Sequence, residues 1–299
     1  MKILITGGTT FVSRYTAEHF VKKGDDVYVL NRNTRTQPGG VHLIEGDRND
    51  LGGKLSGIHF DVILDITAYT AKDVESLLDS GVTFDDYIMV SSSAVYPETN
   101  VQPFSEEQSC GENSYWGAYG TNKIAAEQVL SERLPNAYIL RPPYLYGIYD
   151  NLYREAFVFD CAVKDRPFFM PGDGSLKLQF FNVSDLCRFM EILLEKHPEN
   201  KIFNVGSEPV TVRKWVAICY KAAGKVPELI SVGSEVETYR YFCFRNYEYE
   251  LDISKQRALM PDTVPLEDGI REEYEWYREN TDSIYSRKEY MRFIDESLR

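Results

Sequence analysis

The first two-thirds of the chain alternates short runs of Val, Ile and Leu with longer stretches of helical periodicity. Apolar runs at residues 3–5, 26–30, 41–45, 62–65, 87–90 and 137–140 predict six strands, and the stretches near 11–23, 71–80 and 115–134 predict helices between them. Runs of this kind, without polar alternation, suit a parallel sheet buried on both faces. Strand and helix in regular succession predict an α/β fold with a doubly wound parallel sheet. After Gly147 the alternation breaks. Residues 148–175 hold one helix and a Pro/Gly turn (MPGDGS), and LQFFNV at 178–183 returns to strand character. A helix at 184–196 and a short strand at 202–205 follow, and from about residue 210 the tail reads as mostly helical, with a tyrosine-rich stretch, ETYRYFCFRNYEYEL. Two parts are therefore expected. Residues 1–147 plus about 176–206 form the sheet domain, while about 148–175 plus 207–299 form a smaller, mostly helical substrate-binding lobe.

Composition narrows the class. With 43% hydrophobic and 26% charged residues the chain reads as an ordinary globular protein. A net charge of −13 and the lack of a dense Lys/Arg run argue against nucleic acid or an anionic membrane as partner. Five scattered cysteines without a CxxC, and four scattered histidines without an HExxH, predict free buried thiols and no metal site. The opening residues are apolar only as far as Ile5, too short for a signal peptide or a membrane span, so a cytoplasmic location is expected.

Candidate chemistry begins at TGGTTFVS, residues 6–13, between the first strand and the first helix. In a dinucleotide turn one glycine permits the bend, a second lets the backbone approach the pyrophosphate, and a third lets helix pack on strand. Gly7 and Gly8 meet the first need. Thr10 and Ser13 stand where the other glycines belong, and the first helical turn, from Thr10 through Phe11 and Val12, offers N–H groups to an anion. The second strand ends in Asn31-Arg32 where an acid would hold the ribose hydroxyls. An arginine fork suits a 2′-phosphate, which tilts the choice between NAD and NADP towards NADP. A solvated loop charge is the plain alternative for Arg32. The GDRND segment follows the third strand, and its Asp47 could accept from an adenine amino group or cap a helix. Downstream, Tyr119 and Lys123 are four apart in YGTNK and so share a helix face, where an ammonium would lower the pKa of the phenol. With 21 tyrosines in the chain, chance alone supplies about one such pair. The context gives it weight: VSSSAVY at 90–96 lies at the end of the fifth strand, and LRPPYLYG at 140–147 follows the helix.

This ordered set resembles the extended short-chain dehydrogenase/reductases, the NAD-dependent epimerase/dehydratase family, along most of the chain. SSSAVY and YGTNK resemble its Ser and Tyr-x-x-x-Lys motifs, and LRPPYLYG its Arg-Pro-x-x-x-Tyr-Gly segment. FFNVSDLCRFMEILLE and KIFNVGSEPVTVRKW resemble the family's later strand–Asp–helix and Asn-x-Gly elements. The GGTTF turn, the Asn-Arg pair and GDRND look most like an atypical branch that includes chloroplast RNA-associated proteins. The resemblance implies a Rossmann domain, with Ser92, Tyr119 and Lys123 as catalytic residues. It implies a cofactor site drawn from Gly7, Gly8, Thr10, Phe11, Val12, Asn31, Arg32, Asp47, Arg48, Lys123 and Pro142. The family's 4,6-dehydratases carry Thr-Asp-Glu where this chain has Ser92-Ser93-Ala94, which disfavours dehydration.

The expected activity is an NAD(P)-dependent epimerase or reductase acting on a hydroxyl/ketone pair of a nucleotide-linked sugar, in a protein compatible with a homodimer. The rival is a non-catalytic dinucleotide sensor or RNA-associated scaffold. The altered glycine turn favours the scaffold, whereas the retained Ser92, Tyr119 and Lys123 and the charge favour the enzyme.

Overall fold

A computed structural model describes residues 1–298. Its frame is a seven-stranded sheet in which every adjacent pair is parallel. In chain order come β1 (Lys2–Thr6), α1 (Phe11–Lys22), β2 (Asp26–Asn31), β3 (His42–Glu45), β4 (His59–Asp65), α2 (Ala71–Leu78), β5 (Thr83–Val90), α3 (Ala118–Arg133) and β6 (Tyr138–Arg141). After them follow β7 (Tyr144–Tyr146), α4 (Glu155–Val163), β8 (Phe168–Pro171), β9 (Lys177–Leu178), β10 (Phe180–Asn182), α5 (Val183–Lys196) and β11 (Ile202–Asn204). The tail holds β12 (Val210–Thr211), α6 (Val212–Ala222), β13 (Leu229–Val232), α7 (Ser254–Leu259), α8 (Leu266–Glu279) and α9 (Lys288–Ser297). The sheet runs β3-β2-β1-β4-β5-β6-β11. The winding direction reverses between β1 and β4, and a crevice opens there at the carboxyl ends of the strands.

Each predicted strand and helix of the first 141 residues is present. Helix α3 starts at Ala118 rather than at 115, because Gly117 takes φ +50° and turns the chain immediately before it. LQFFNV does not return to the main sheet. β10 pairs with β7 in a separate two-stranded ribbon, and β11 supplies the seventh strand. The tyrosine-rich stretch is not helical beyond one 3-10 turn at Thr238–Arg240. From Tyr247 to Ile253 it is extended chain with alternate side chains buried.

Apolar side chains bury on both faces of the sheet. One layer holds Ile3, Ile5, Val62 and Leu64 under α1 and α5, and the other holds Leu4, Ile63 and Met89 under α2 and α3. A third core gathers Phe157, Phe168, Phe180, Trp215 and Phe242. Helix starts carry the expected caps: Thr70 and Asp73 form a reciprocal capping box on α2, and Asn182 caps α5. Cys161, Cys187, Cys219 and Cys243 are buried and Cys110 is half-buried. Among the described residues no helix is long and apolar enough to cross a membrane.

One buried cluster in the third core is unbalanced in charge. Asp150, Glu155 and Glu273 place carboxylate oxygens within 4.8 Å of one another, and Arg154 supplies the guanidinium, 2.5 Å from Asp150 and 3.7 Å from Glu155. Three acids around one cation in a dry site favour holding protons. Burial pushes Glu155 up to about 7, with the Arg154 charge opposing, and burial likewise raises Glu273 and Asp150. Between about 4.5 and about 7 the folded chain therefore holds a proton that the unfolded chain has released. That stability is complete below the lower value and is lost as pH rises through the upper one. Glu155→Gln should flatten this slope and raise unfolding free energy at pH 8 by up to about 3 kcal/mol, with little change at pH 4, as urea titrations at the two pH values would measure.

Candidate active site

The crevice holds a cavity of about 470 Å³, lined by the first turn of α1, by Ser91–Ala94 after β5, by Tyr119 and Lys123 of α3, and by Pro142–Leu145 around β7. Its floor is the GGTTF turn. Gly7 and Gly8 have φ of +94° and +98°, where an L side chain is strained, and a Cβ at either would collide with Ser13 or Val29. Thr10 caps α1 without a side-chain bond, so the N–H groups of the first helical turn keep no intrahelical partner. These groups and the positive end of the helix dipole face the cavity, an arrangement that fits a pyrophosphate. Thr10 is extended at φ −139°, and the left-handed backbone falls on the next residue, Phe11, at φ +32°. Ser13 is buried and its hydroxyl donates to the Thr10 carbonyl at 2.9 Å, so a serine is accommodated where helix meets strand.

At the opposite end Ser92 begins a short 3-10 turn, and its hydroxyl accepts from the Ala94 N–H at 3.2 Å. Tyr119 is 43% exposed, and its phenol lies close enough to the Ser92 hydroxyl to feel it. Burial raises the phenol pKa, and the Ser92 contact partly opposes that rise. Lys123 is fully buried and donates to the carbonyls of Ala68 at 2.7 Å and Val90 at 2.9 Å. Burial brings its pKa down to about 8 against the pull of the Asp65 and Glu127 carboxylates. The expected lowering of the Tyr119 pKa by Lys123 is absent from this geometry. The ammonium is turned to two backbone carbonyls, and desolvation dominates at the phenol. Helix α3 lies hard against the serine segment, because Gly120 has no side chain and a Cβ there would strike the Ala94 carbonyl oxygen.

The residues expected around the adenosine end divide. Arg32 is exposed, with no hydrogen bond or ion pair among the described residues, and stands at the end of β2. Asn31 is a correction: its amide donates to the Gly7 carbonyl at 2.7 Å and to Gln37 at 3.0 Å, so it braces the glycine turn from behind. Arg48 is another. Its guanidinium is drawn into the core, paired through both terminal nitrogens with Asp65 at 2.9 Å and bonded to Thr67 and the Asp73 carbonyl. Asp47 caps no helix; its carboxylate holds a tight turn by accepting from the Asn49 N–H at 2.9 Å. Pro142 lines the cavity and accepts from the Ser93 N–H at 2.9 Å, which extends the β5–β6 pairing past the strand ends.

The tail adds residues that pattern reading missed. Tyr249 is buried in the cavity wall, and its ring lies 6.1 Å from Trp116 and 5.6 Å from Tyr144. Trp116, Tyr144, Leu152 and Arg154 also border a second cavity of about 360 Å³, which Tyr239, Arg245 and Arg287 complete. There the Tyr239 ring is flanked by Arg245 at 4.1 Å and Arg287 at 4.8 Å. The alternation in YEYELDI was the available signal for this segment: Tyr247, Tyr249, Leu251 and Ile253 face inward, while the acidic residues between them are less buried.

Comparison with known proteins agrees with this geometry. Residues 61–206 match the NAD dependent epimerase/dehydratase family. The chain is 27% identical, over 91% of its length and 78% of the other, to the chloroplast stem-loop binding protein of 41 kDa b of Arabidopsis thaliana. It is 26% identical to a UDP-glucose 4-epimerase of Corynebacterium glutamicum, over 75% of this chain and 81% of the relative. The crystal structure of the Thermotoga maritima UDP-glucose 4-epimerase with UDP-glucose superposes with a TM-score of 0.76 at 19% identity, covering 94% of this chain and all of that one. The matched segment holds the Ser92, Tyr119, Lys123 and Arg141-Pro142 motifs, so the chain is similar over residues 61–206 to the NAD dependent epimerase/dehydratase family and shares the fold of the solved epimerase.

Proposed function

We propose that the protein is a nicotinamide-dependent epimerase acting at a hydroxyl/ketone position of a nucleotide sugar. The observation that carries this reading is the meeting of Ser92, Tyr119 and Lys123 in one cavity with the open first turn of α1. The bound dinucleotide supplies the hydride acceptor and donor. Gly7, Gly8 and the N–H groups of Phe11 and Val12 hold its pyrophosphate, Lys123 reaches its nicotinamide ribose, and Pro142 bounds the nicotinamide end.

The Tyr119 phenolate, beside Ser92, would take the substrate hydroxyl proton and return it after the sugar has presented its other face. Burial raises the phenol pKa, so the group is protonated at rest and its own proton must first pass to solvent, to which Tyr119 is 43% exposed. The lobe formed by about 148–175 and 207–299 takes the rest of the substrate. Its aromatic and arginine-lined second cavity suits a diphosphate and a base, with Arg245 and Arg287 as the cations. The missing Asp/Glu pair after Ser92 disfavours water elimination. The likeness to a chloroplast stem-loop binding protein supports the rival scaffold reading, which has no use for the assembled hydroxyls and lysine.

Tyr119→Phe should lower turnover on UDP-glucose, followed by NMR of the epimerised product, by about 10²–10⁴-fold. Calorimetry should find NAD affinity nearly intact in that variant, whereas Lys123→Ala should weaken both.

Because the protonated Lys123 is the active form, kcat should fall as pH rises through about 8. A pH profile flat from 7 to 9 would contradict the role given to its charge.

At the adenosine end, Arg32 is an exposed cation without a side-chain partner, so NADP should bind more tightly than NAD. Arg32→Ala should erase a difference worth about 1.5–3 kcal/mol in paired calorimetric titrations.

A further inference from the structure

Behind the serine segment lies a buried polar network that the proposed chemistry does not use. Glu127 sits on α3 one turn beyond Lys123 and two beyond Tyr119, on the same face, and is 5% exposed. Its carboxylate accepts from the Ser91 hydroxyl at 2.5 Å. It also receives Arg141, at the end of β6, through Nε at 3.1 Å and through a terminal nitrogen at 2.5 Å. The other terminal nitrogen of Arg141 donates to the Tyr96 hydroxyl at 2.8 Å, and that hydroxyl donates to Asn204, at the end of β11, at 2.7 Å. Asn204 in turn donates to the Phe104 and Asp252 carbonyls. The network thus ties the carboxyl ends of three adjacent strands, β5, β6 and β11, to the one helix that carries Tyr119 and Lys123.

Two charges in the dry interior are a weak source of stability compared with apolar packing of the same volume. What this pair adds is direction. The bidentate fork of Arg141 fixes the Glu127 carboxylate in one orientation, and that carboxylate fixes the Ser91 hydroxyl. Ser91 is adjacent to Ser92, whose hydroxyl lies beside the Tyr119 phenol in the cavity wall. We propose that the Glu127–Arg141 ion pair is a positioning unit that clamps Ser91 and thereby sets the Ser92–Tyr119 contact. Glu127, Arg141 and Ser91 are positioning residues, and none of them exchanges a proton with substrate. The consequence for turnover rests on the epimerase reading, whereas the geometric claim does not.

The test separates the two. Protein labelled with ¹³Cζ-tyrosine is prepared as wild type, Tyr119→Phe, Ser91→Ala and the charge-neutral double variant Glu127→Gln/Arg141→Met, which leaves no unpaired buried ion. The Tyr119 signal is assigned by its loss in Tyr119→Phe, and its position at neutral pH reports the hydrogen bond at the phenol. It should move in Ser91→Ala and move further in the double variant. Turnover on UDP-glucose should fall in both by up to about 100-fold, with KM and NAD affinity unchanged. A Tyr119 signal at the wild-type position in folded Ser91→Ala overturns the proposal, and that variant decides alone if the double variant does not fold. Undiminished turnover in Tyr119→Phe would instead overturn the epimerase reading, and the signal would still decide the positioning claim.

Discussion

The crevice depends on one buried carboxylate. Asp65, at the carboxyl end of β4, accepts from Thr6 at the end of β1, from Tyr87 on β5 and from both terminal nitrogens of Arg48. Burial alone would raise its pKa, but Arg48 with these hydroxyl donors outweighs burial and holds the acid ionised. The strands on both sides of the point where winding reverses are therefore tied to one charge, and the loop after β3 is pulled in on top of them. Removing one partner of such a pair strands the other, at a penalty of about 3–5 kcal/mol. The same knot separates two arginines: Arg48 belongs to the fold, and Arg32 is left outside it.

The parallel sheet was legible because its strands are apolar on both faces and its helices are punctuated by glycine, as at Gly24 and Gly81. Reading stopped where pairing partners lie far apart in sequence. LQFFNV has strand composition, yet whether it joins the large sheet or a two-stranded ribbon depends on β7, and composition is silent on that choice. The tail failed for a different reason. It reads as mostly helical throughout, while the alternation of YEYELDI, too short to stand out among 21 tyrosines, marks chain that crosses to pair with Phe104.

Within the site, Ser92, Tyr119 and Lys123 line one cavity, as their places on a strand end and a helix face suggested. Asn31, expected at the cofactor, gives its amide to the Gly7 carbonyl, a partner far off in sequence that composition does not reveal. The turn itself tolerates Thr10 and Ser13 because the left-handed conformation is carried by Phe11 and the serine hydroxyl finds a carbonyl within its own helix. An imperfect glycine pattern is thus a weaker sign of lost function than its letters suggest.

The bare backbone at Gly120 has a wider consequence. With the helix in contact with the Ala94 carbonyl, there is no slack along the line joining the two elements. The apparatus on that side behaves as a rigid die, and any enlargement of a side chain at the seam would displace all of it together. Variation in the shape of the cavity is thereby channelled to the opposite wall, where Trp116, Tyr144 and Tyr249 meet edge to face. One side of the molecule is held still so that the other can vary.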